Sequence, residues 1–286
     1  MRKPNLIIPG FAKSGTTSLN NMLIKSNEVC KKDFKEPHTY TWNNKYKNRF
    51  DFFKKEYQGV NEQFIIDAST SYLVSQQAID RIIKDTPNAK FIIIVRDPID
   101  RLISHFNWLS SKGLINKDFK QEILKEHNIK FNYKNHFSGN YKNYIEFSSY
   151  SPQIQRLLNS VNQSSVLFLT FETVFKSWEI ERQKLEDFLG ISLKEITPLQ
   201  DNKTKSEMET KTKKSLMRRI RKRIKYEKRI MLSGDPRTKR VSSPIFQSIS
   251  RADVEPFLVP IFEKEYDYLK TLPIDLSTWK TFNHLT

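Results

Sequence analysis

Hydrophobic residues in this chain fall into short blocks, and the blocks alternate between two periods. Leu6-Ile7-Ile8, Phe64-Ile65-Ile66-Asp67, Lys90-Phe91-Ile92-Ile93-Ile94-Val95 and Val166-Leu167-Phe168-Leu169-Thr170-Phe171 are nearly continuous runs, rich in β-branched and aromatic residues. Such runs predict strands buried on both faces of a parallel sheet. Helical spacing lies between and after them: Ser18 to about Ser26, Arg49 to Glu56, Ser75 to Lys84, Asp100 to Leu109, Ser151 to Val161, Ser177 to Leu189, and about Arg251 to Leu272. Gly190 follows Leu189 in a C-terminal glycine position. Residues 113–140 are polar and irregular and are expected to form surface helices and loops. The alternation predicts an α/β fold: a three-layer α/β/α domain with a central parallel sheet. The chain, 1–286, is read as a single domain without internal repeats.

The turn after the first strand carries the most information. Pro9-Gly10-Phe11-Ala12-Lys13-Ser14-Gly15-Thr16-Thr17-Ser18 leads from an apolar run into a helix. In that layout backbone N–H groups and a helix N-terminus hold an anion. Gly10 and Gly15 have the spacing of the nucleotide-binding loop G-x-x-x-x-G-K-[ST]. Here, however, Thr16 follows Gly15, and the lysine comes earlier, at Lys13. The loop is P-loop-like but is not that of an ATPase or GTPase. Lys13 supplies a point charge, and Ser14, Thr16, Thr17 and Ser18 supply hydroxyls.

Two further clusters join it. Arg96-Asp97-Pro98-Ile99-Asp100-Arg101-Leu102-Ile103-Ser104 follows a buried strand, where an open α/β sheet meets its ligands. Arg96 is the candidate ligand contact, with Ser104 two helical turns beyond it. The alternative is an arginine that only pairs with Asp97 or Asp100. Lys35-Glu36-Pro37-His38 is the third cluster, kept from helix at Glu36 by the proline. Glu36 and His38 are both candidate bases. They are expected to point to opposite sides of an extended piece, so that one alone faces the reacting atoms.

Charge adds a separate feature. The net charge is +17, and +12 of it falls between Lys203 and Arg240. Within 211–229, Leu216, Ile220 and Ile224 give a basic helical stripe. It reads as a solvated helix, or as one facing an anionic membrane surface, an acidic glycan or nucleic acid. An acidic acceptor or a membrane is preferred and nucleic acid ranks behind. The single cysteine, Cys30, fits a reducing compartment. No segment approaches the roughly 20 apolar residues of a membrane-spanning helix, and no signal-peptide core is visible. Cytoplasm is therefore the expected location, with a membrane-peripheral variant left open. Oligomeric state is not readable.

Together these clusters resemble the sulfotransferases that use 3′-phosphoadenosine 5′-phosphosulfate, closest to the carbohydrate enzymes of the heparan sulfate type and their bacterial relatives. Lys13-Ser14-Gly15-Thr16-Thr17-Ser18 matches the 5′-phosphosulfate loop of that family, and Arg96 with Ser104 its 3′-phosphate signature. Lys35-Glu36-Pro37-His38 matches the segment in which the glycan enzymes carry a catalytic glutamate. Val166 to Glu172, Phe188-Leu189-Gly190 and Leu276-Ser277-Thr278-Trp279 resemble later parts. The resemblance implies sulfuryl transfer to a hydroxyl or amine of a glycan or glycolipid, without a metal. Lys13 would stabilise the leaving oxygen, Glu36 would be the base, and His38 the second choice. Lys239 and Arg240 are the cations assigned to the 3′-phosphate. The chain departs from the family pattern at Ala68, where glycan enzymes often have lysine. Gly139 and Tyr141 resemble a region near the nucleotide. Tyr40, Trp42, Tyr72, Trp108, Tyr141 and Tyr144 are candidates for stacking on sugars. Two competing readings are a P-loop kinase or NTPase, with Asp67 holding Mg²⁺, and a nucleic-acid-binding protein using the basic helix.

Overall fold

The apolar runs assemble into one parallel sheet. The computed structural model describes residues 1–32, 34–127, 142–198, 241 and 243–285. Within it β1 (Leu6–Ile7), β2 (Ile66–Asp67), β3 (Lys90–Val95) and β4 (Val166–Thr170) lie in the order β2-β1-β3-β4. Leu6 pairs with Ile66 on one side and Lys90 on the other, and Phe91 to Val95 pair with Val166 to Thr170. The helices are α1 (Thr16–Leu23), α2 (Asn43–Lys47), α3 (Arg49–Tyr57), α4 (Gln76–Asp85), α5 (Pro98–Ser111) and α6 (Phe119–His127). They continue with α7 (Tyr150–Leu158), α8 (Phe171–Lys176), α9 (Trp178–Leu189) and α10 (Glu255–Leu269).

The unbroken apolar character of β3 follows from its burial. Phe91, Ile93 and Val95 enter one core with Ala78, Ile79 and Ile82 of α4, Ile154 and Leu157 of α7, and Trp279 near the C-terminal end. Ile92 and Ile94 enter the other with Leu19, Met22 and Leu23 of α1 and Leu185 and Leu189 of α9. Side chains alternate across a strand, and both faces are covered, so no position of β3 beyond Lys90 is left for water. This is the P-loop-type α/β/α fold.

Two expectations need correction. Ile115, Phe119 and Ile123 are buried with Phe106, Leu109 and Phe262 in a third core, so residues 113–127, though exposed on one side, also bury an apolar face. Their fourth-residue spacing is masked in the sequence by the charged residues between them; residues 128–141 lie outside the described set. Helix α5 starts at Pro98, not Asp100, because the Asp97 carboxylate accepts from the Ile99 and Asp100 N–H groups at 3.0 and 3.2 Å. Proline suits the first helical position, where no N–H is needed.

The topology places the site. From β1 the chain builds β2 on one side and β3 on the other, so the sheet's direction of growth reverses between β1 and β3. Ligand crevices in open α/β sheets lie beyond the carboxyl ends of the strands at that point. The loops that leave β1 and β3 both open there.

Candidate active site

The β1–α1 loop is held from behind by two arginines. Arg101 Nη1 donates to the Ala12 carbonyl at 3.3 Å and Arg96 Nη1 to the Lys13 carbonyl at 3.2 Å. Lys13 and Gly15 have positive φ, 72° and 91°. At Gly15 a Cβ would lie 2.7 Å from the Phe171 ring, so both conformation and space call for glycine. Helix α1 then begins at Thr16 with no side-chain cap and no acidic residue in its first turn. Its leading N–H groups lack partners inside the helix, and the macrodipole favours an anion there. Helix α5, whose N-terminus Asp97 closes, offers no such opening.

Lys13, Gly15, Thr16, Thr17 and Ser18 line a cleft of about 540 Å³ together with Arg96 and Ser104. Ser104 belongs to one face of α5 with Asp100, Ile103 and Asn107, all at the cleft. Ser14 is absent from the lining; its fully buried side chain lies against Tyr150. Arg96 does not pair with Asp97 or Asp100. Both carboxylates are bound by Arg251 Nη1 at 3.0 Å. The Arg96 guanidinium instead sits 4.6 Å from the Phe171 ring centre. Its Nε is buried without a hydrogen-bond partner among the described residues.

The cleft concentrates positive charge. Burial, and then the charges of Arg96, Arg101, Lys35 and Lys112, push the Lys13 ammonium down to about 8. Arg101 is fully buried and held by the Ser148 hydroxyl and the Tyr144 carbonyl at 2.6 and 2.8 Å. Burial pushes it down to about 10.

Beside this pocket lies the Lys35–His38 segment. Glu36 and His38 do not face opposite ways: His38 Nε2 lies 3.2 Å from Glu36 Oε2. Alternation separates adjacent residues, not next-but-one residues, and His38 bends the backbone further with a φ of 53°. His38 is fully buried, its Nδ1 2.7 Å from the Ser71 hydroxyl and its N–H donating to Ser69 Oγ at 2.9 Å. Thr70 Oγ1 donates to Glu36 Oε2 at 3.2 Å. Burial pushes the Glu36 carboxyl up, but the Lys35 charge and the His38 contact outweigh it and hold it well below the ordinary carboxylate range. Neither Glu36 nor His38 lines the cleft. Lys35 connects them to it: its Nζ donates to Thr16 Oγ1 at 3.0 Å and lies 2.7 Å from Glu36 Oε1.

Asp67 is turned inward. It accepts from the Ser69 and Tyr72 hydroxyls, each at 2.6 Å, and burial pushes it up to about 6. It does not line the cleft, which removes the Mg²⁺-holding role weighed for it. Tyr40, Tyr72 and Tyr144 are fully buried and present no face to a sugar. Trp108 is half-buried, with Lys13 Nζ 5.6 Å from its ring centre. Lys239, Arg240, Gly139, Tyr141 and the basic window 203–240 lie outside the described residues. The sequence reading missed Lys35, Arg101, Arg251 and Asn107. Of these, Asn107 had a signal, three residues after Ser104 on the same helical face, and Lys35 and Arg101 both stood inside the motifs, with no role assigned. Among the described residues no cluster of three His, Cys, Asp or Glu could hold a metal ion. Nor is any described helix long and apolar enough to cross a membrane.

Known proteins resemble this chain in sequence and in fold. The membrane-associated sulfotransferase kil1 of Dictyostelium discoideum is 29% identical over 130 residues, 44% of this chain and 27% of that protein. Human heparan sulfate glucosamine 3-O-sulfotransferase 5 is 30% identical over 118 residues, 41% of this chain and 34% of that protein. These matches span only about a quarter to a third of those relatives' lengths. A sulfotransferase structure from Alicyclobacillus acidocaldarius superposes with a TM-score of 0.58 at 22% identity, covering 82% of this chain and 93% of that one; it shares the fold. A family model described as the sulfotransferase domain matches residues 3–240, and the chain belongs to that family.

Proposed function

We propose that the protein moves a sulfuryl group from 3′-phosphoadenosine 5′-phosphosulfate to a hydroxyl or amine of a glycan or glycolipid, acting as one domain over 1–286. The observation that carries this reading is a single cleft lined by Lys13, Thr16, Thr17, Ser18, Arg96 and Ser104. The residues fit a doubly phosphorylated donor. Among the described residues, Arg96 has a buried Nε without a hydrogen-bond partner, and Lys13 is crowded by cations rather than paired with a carboxylate.

The donor supplies an activated sulfur bound to a good leaving group. Lys13 and the leading N–H groups of α1 hold the 5′ end, with Thr16 and Thr17 as donors. Arg96 and Ser104 hold the 3′-phosphate. The acceptor atom bonds to sulfur as the bond from sulfur to the bridging phosphate oxygen breaks. The electron pair stays on that oxygen, which the Lys13 charge stabilises. Glu36 takes the acceptor's proton. His38, buried behind Glu36, is given the task of orienting it.

The acceptor class is supported by the heparan sulfate enzymes among the relatives. A cytoplasmic location and a membrane-peripheral face rest on the sequence alone, on the single cysteine and the basic window. The test is calorimetry with 3′,5′-bisphosphoadenosine, paired with transfer of labelled sulfate to a panel of glycans and glycolipids. Binding in the micromolar range is expected. No binding at millimolar levels defeats the proposal.

A further inference from the structure

Lys35 is placed between the donor loop and Glu36 by polar contacts on both sides. Its ammonium meets Thr16 Oγ1, at the first residue of α1, and Glu36 Oε1. Its side chain is 16% exposed and that of Glu36 25%, so the pair is largely shielded from water. The end of β2 brings no cation to this place, since Ala68 is fully buried and its N–H donates to the Lys35 carbonyl at 3.2 Å. That backbone contact ties the Lys35 segment to β2. Among the described residues, the charged and titratable groups around Glu36 include Lys35 and His38 on its own segment and Asp67 from β2. Thr70 adds a hydroxyl.

This arrangement poses a chemical difficulty for a base. A carboxylate already matched by an ammonium at 2.7 Å is a poor proton acceptor. The same ammonium, however, borders the anion-binding end of α1. An anionic group arriving there competes with Glu36 for it.

We propose that Lys35 couples donor occupancy to the base: sulfuryl oxygens at the start of α1 draw its ammonium away from Glu36, and the carboxylate is released to accept the acceptor's proton. Lys35 thus acts through Glu36 as a positioning residue. It keeps the base quiet until a donor is in place. The inference rests on the sulfotransferase reading of the cleft.

The test follows the Glu36 carboxyl carbon by NMR across a pH titration of the full chain, with calorimetry run beside it. In wild type alone, Glu36 titrates well below the ordinary carboxylate range. Saturating 3′-phosphoadenosine 5′-phosphosulfate moves that titration up by about 1–3 pH units, whereas 3′,5′-bisphosphoadenosine, which lacks the sulfuryl oxygens, moves it clearly less. In Lys35→Met the titration starts high and no longer responds to the donor; Lys35→Arg restores the response. A purely structural lysine would not link donor binding to the Glu36 titration. Donor that binds wild type without moving Glu36 overturns the Lys35 proposal alone, as does an equal movement with the bisphosphate. Failure of both nucleotides to bind wild type overturns the sulfotransferase reading and the coupling with it.

Discussion

On one side of Thr16, Lys13, Arg96 and Arg101 crowd around the donor loop. None of the three has an ion pair with a carboxylate among the described residues, and the nearby Asp97 and Asp100 are bound by Arg251. On the other side, Glu36 is enclosed by Lys35, His38 and Thr70. The first region presses a lysine toward losing its proton, and the second presses a carboxyl toward keeping its charge. The donor half therefore reads as an electrostatic receptor that lacks its counter-charge. The base half is already neutralised and has to be opened. The two halves should respond to different measurements.

The largest effect expected is on the base half. Glu36→Gln keeps the shape of the carboxyl and removes its proton affinity. Sulfate transfer should fall by about 10²–10⁴-fold, the usual size of a lost general base. Affinity for 3′,5′-bisphosphoadenosine should change by no more than about twofold, because Glu36 does not line the cleft. A matching loss of nucleotide affinity would erase the distinction between the halves. Lys13→Ala should lower both transfer and nucleotide affinity, because Lys13 holds the 5′ end and also stabilises the leaving oxygen. A hydrogen bond to a charged group is worth about 1.5–3 kcal/mol, so nucleotide affinity should drop by about 10–150-fold in calorimetry. Thermal stability should not fall, since the variant relieves repulsion among buried cations.

Gly15→Ala should show how far the donor half depends on backbone shape. A non-glycine residue in the left-handed region costs about 1–2 kcal/mol. The added methyl also pushes on Phe171, against which Arg96 rests. Nucleotide affinity should fall by about tenfold and the melting temperature by a few degrees. Unchanged affinity would mean that the Phe171–Arg96 contact does not set the 3′ side of the cleft.

The same contrast separates what could be read from the sequence from what could not. The donor loop and the Arg96–Ser104 segment are each continuous, and the parallel sheet brings their starting points together by topology alone. Ser104, two helical turns into the segment after β3, lines the same cleft as Arg96. The base half is built from long-range contacts. Ser69 and Ser71 reach His38 from the end of β2, and Lys35 reaches Thr16 across nineteen positions. No local pattern encodes those meetings. The expectation that Glu36 and His38 face opposite ways failed because alternation leaves next-but-one residues on one side, and because the positive φ at His38 could not be read from the sequence. Arg251 was invisible because its partners lie some 150 positions earlier.

The smallest effect expected is the pH dependence of the donor half, and its sign is the most discriminating. Lys13 loses its proton near pH 8 in the folded protein, against an ordinary lysine value of 10.5. A bound phosphate group favours the charged form and raises that value in the complex. Nucleotide affinity should therefore be nearly flat from about pH 7, where the phosphates are almost fully charged, to near pH 8, and fall above it by at most about tenfold per pH unit. Stability should move the other way. Between about pH 8 and 10.5 the unfolded chain holds a proton at Lys13 that the folded chain has released, so this group's contribution to unfolding free energy rises with pH. Calorimetric affinities and denaturant midpoints over that window should diverge in wild type. In Lys13→Met, which has no proton to lose, the Lys13 part of both slopes should vanish. Affinity that stays flat to pH 10 in wild type would place the counter-charge of the donor half on Arg96 and the α1 N-terminus rather than on Lys13.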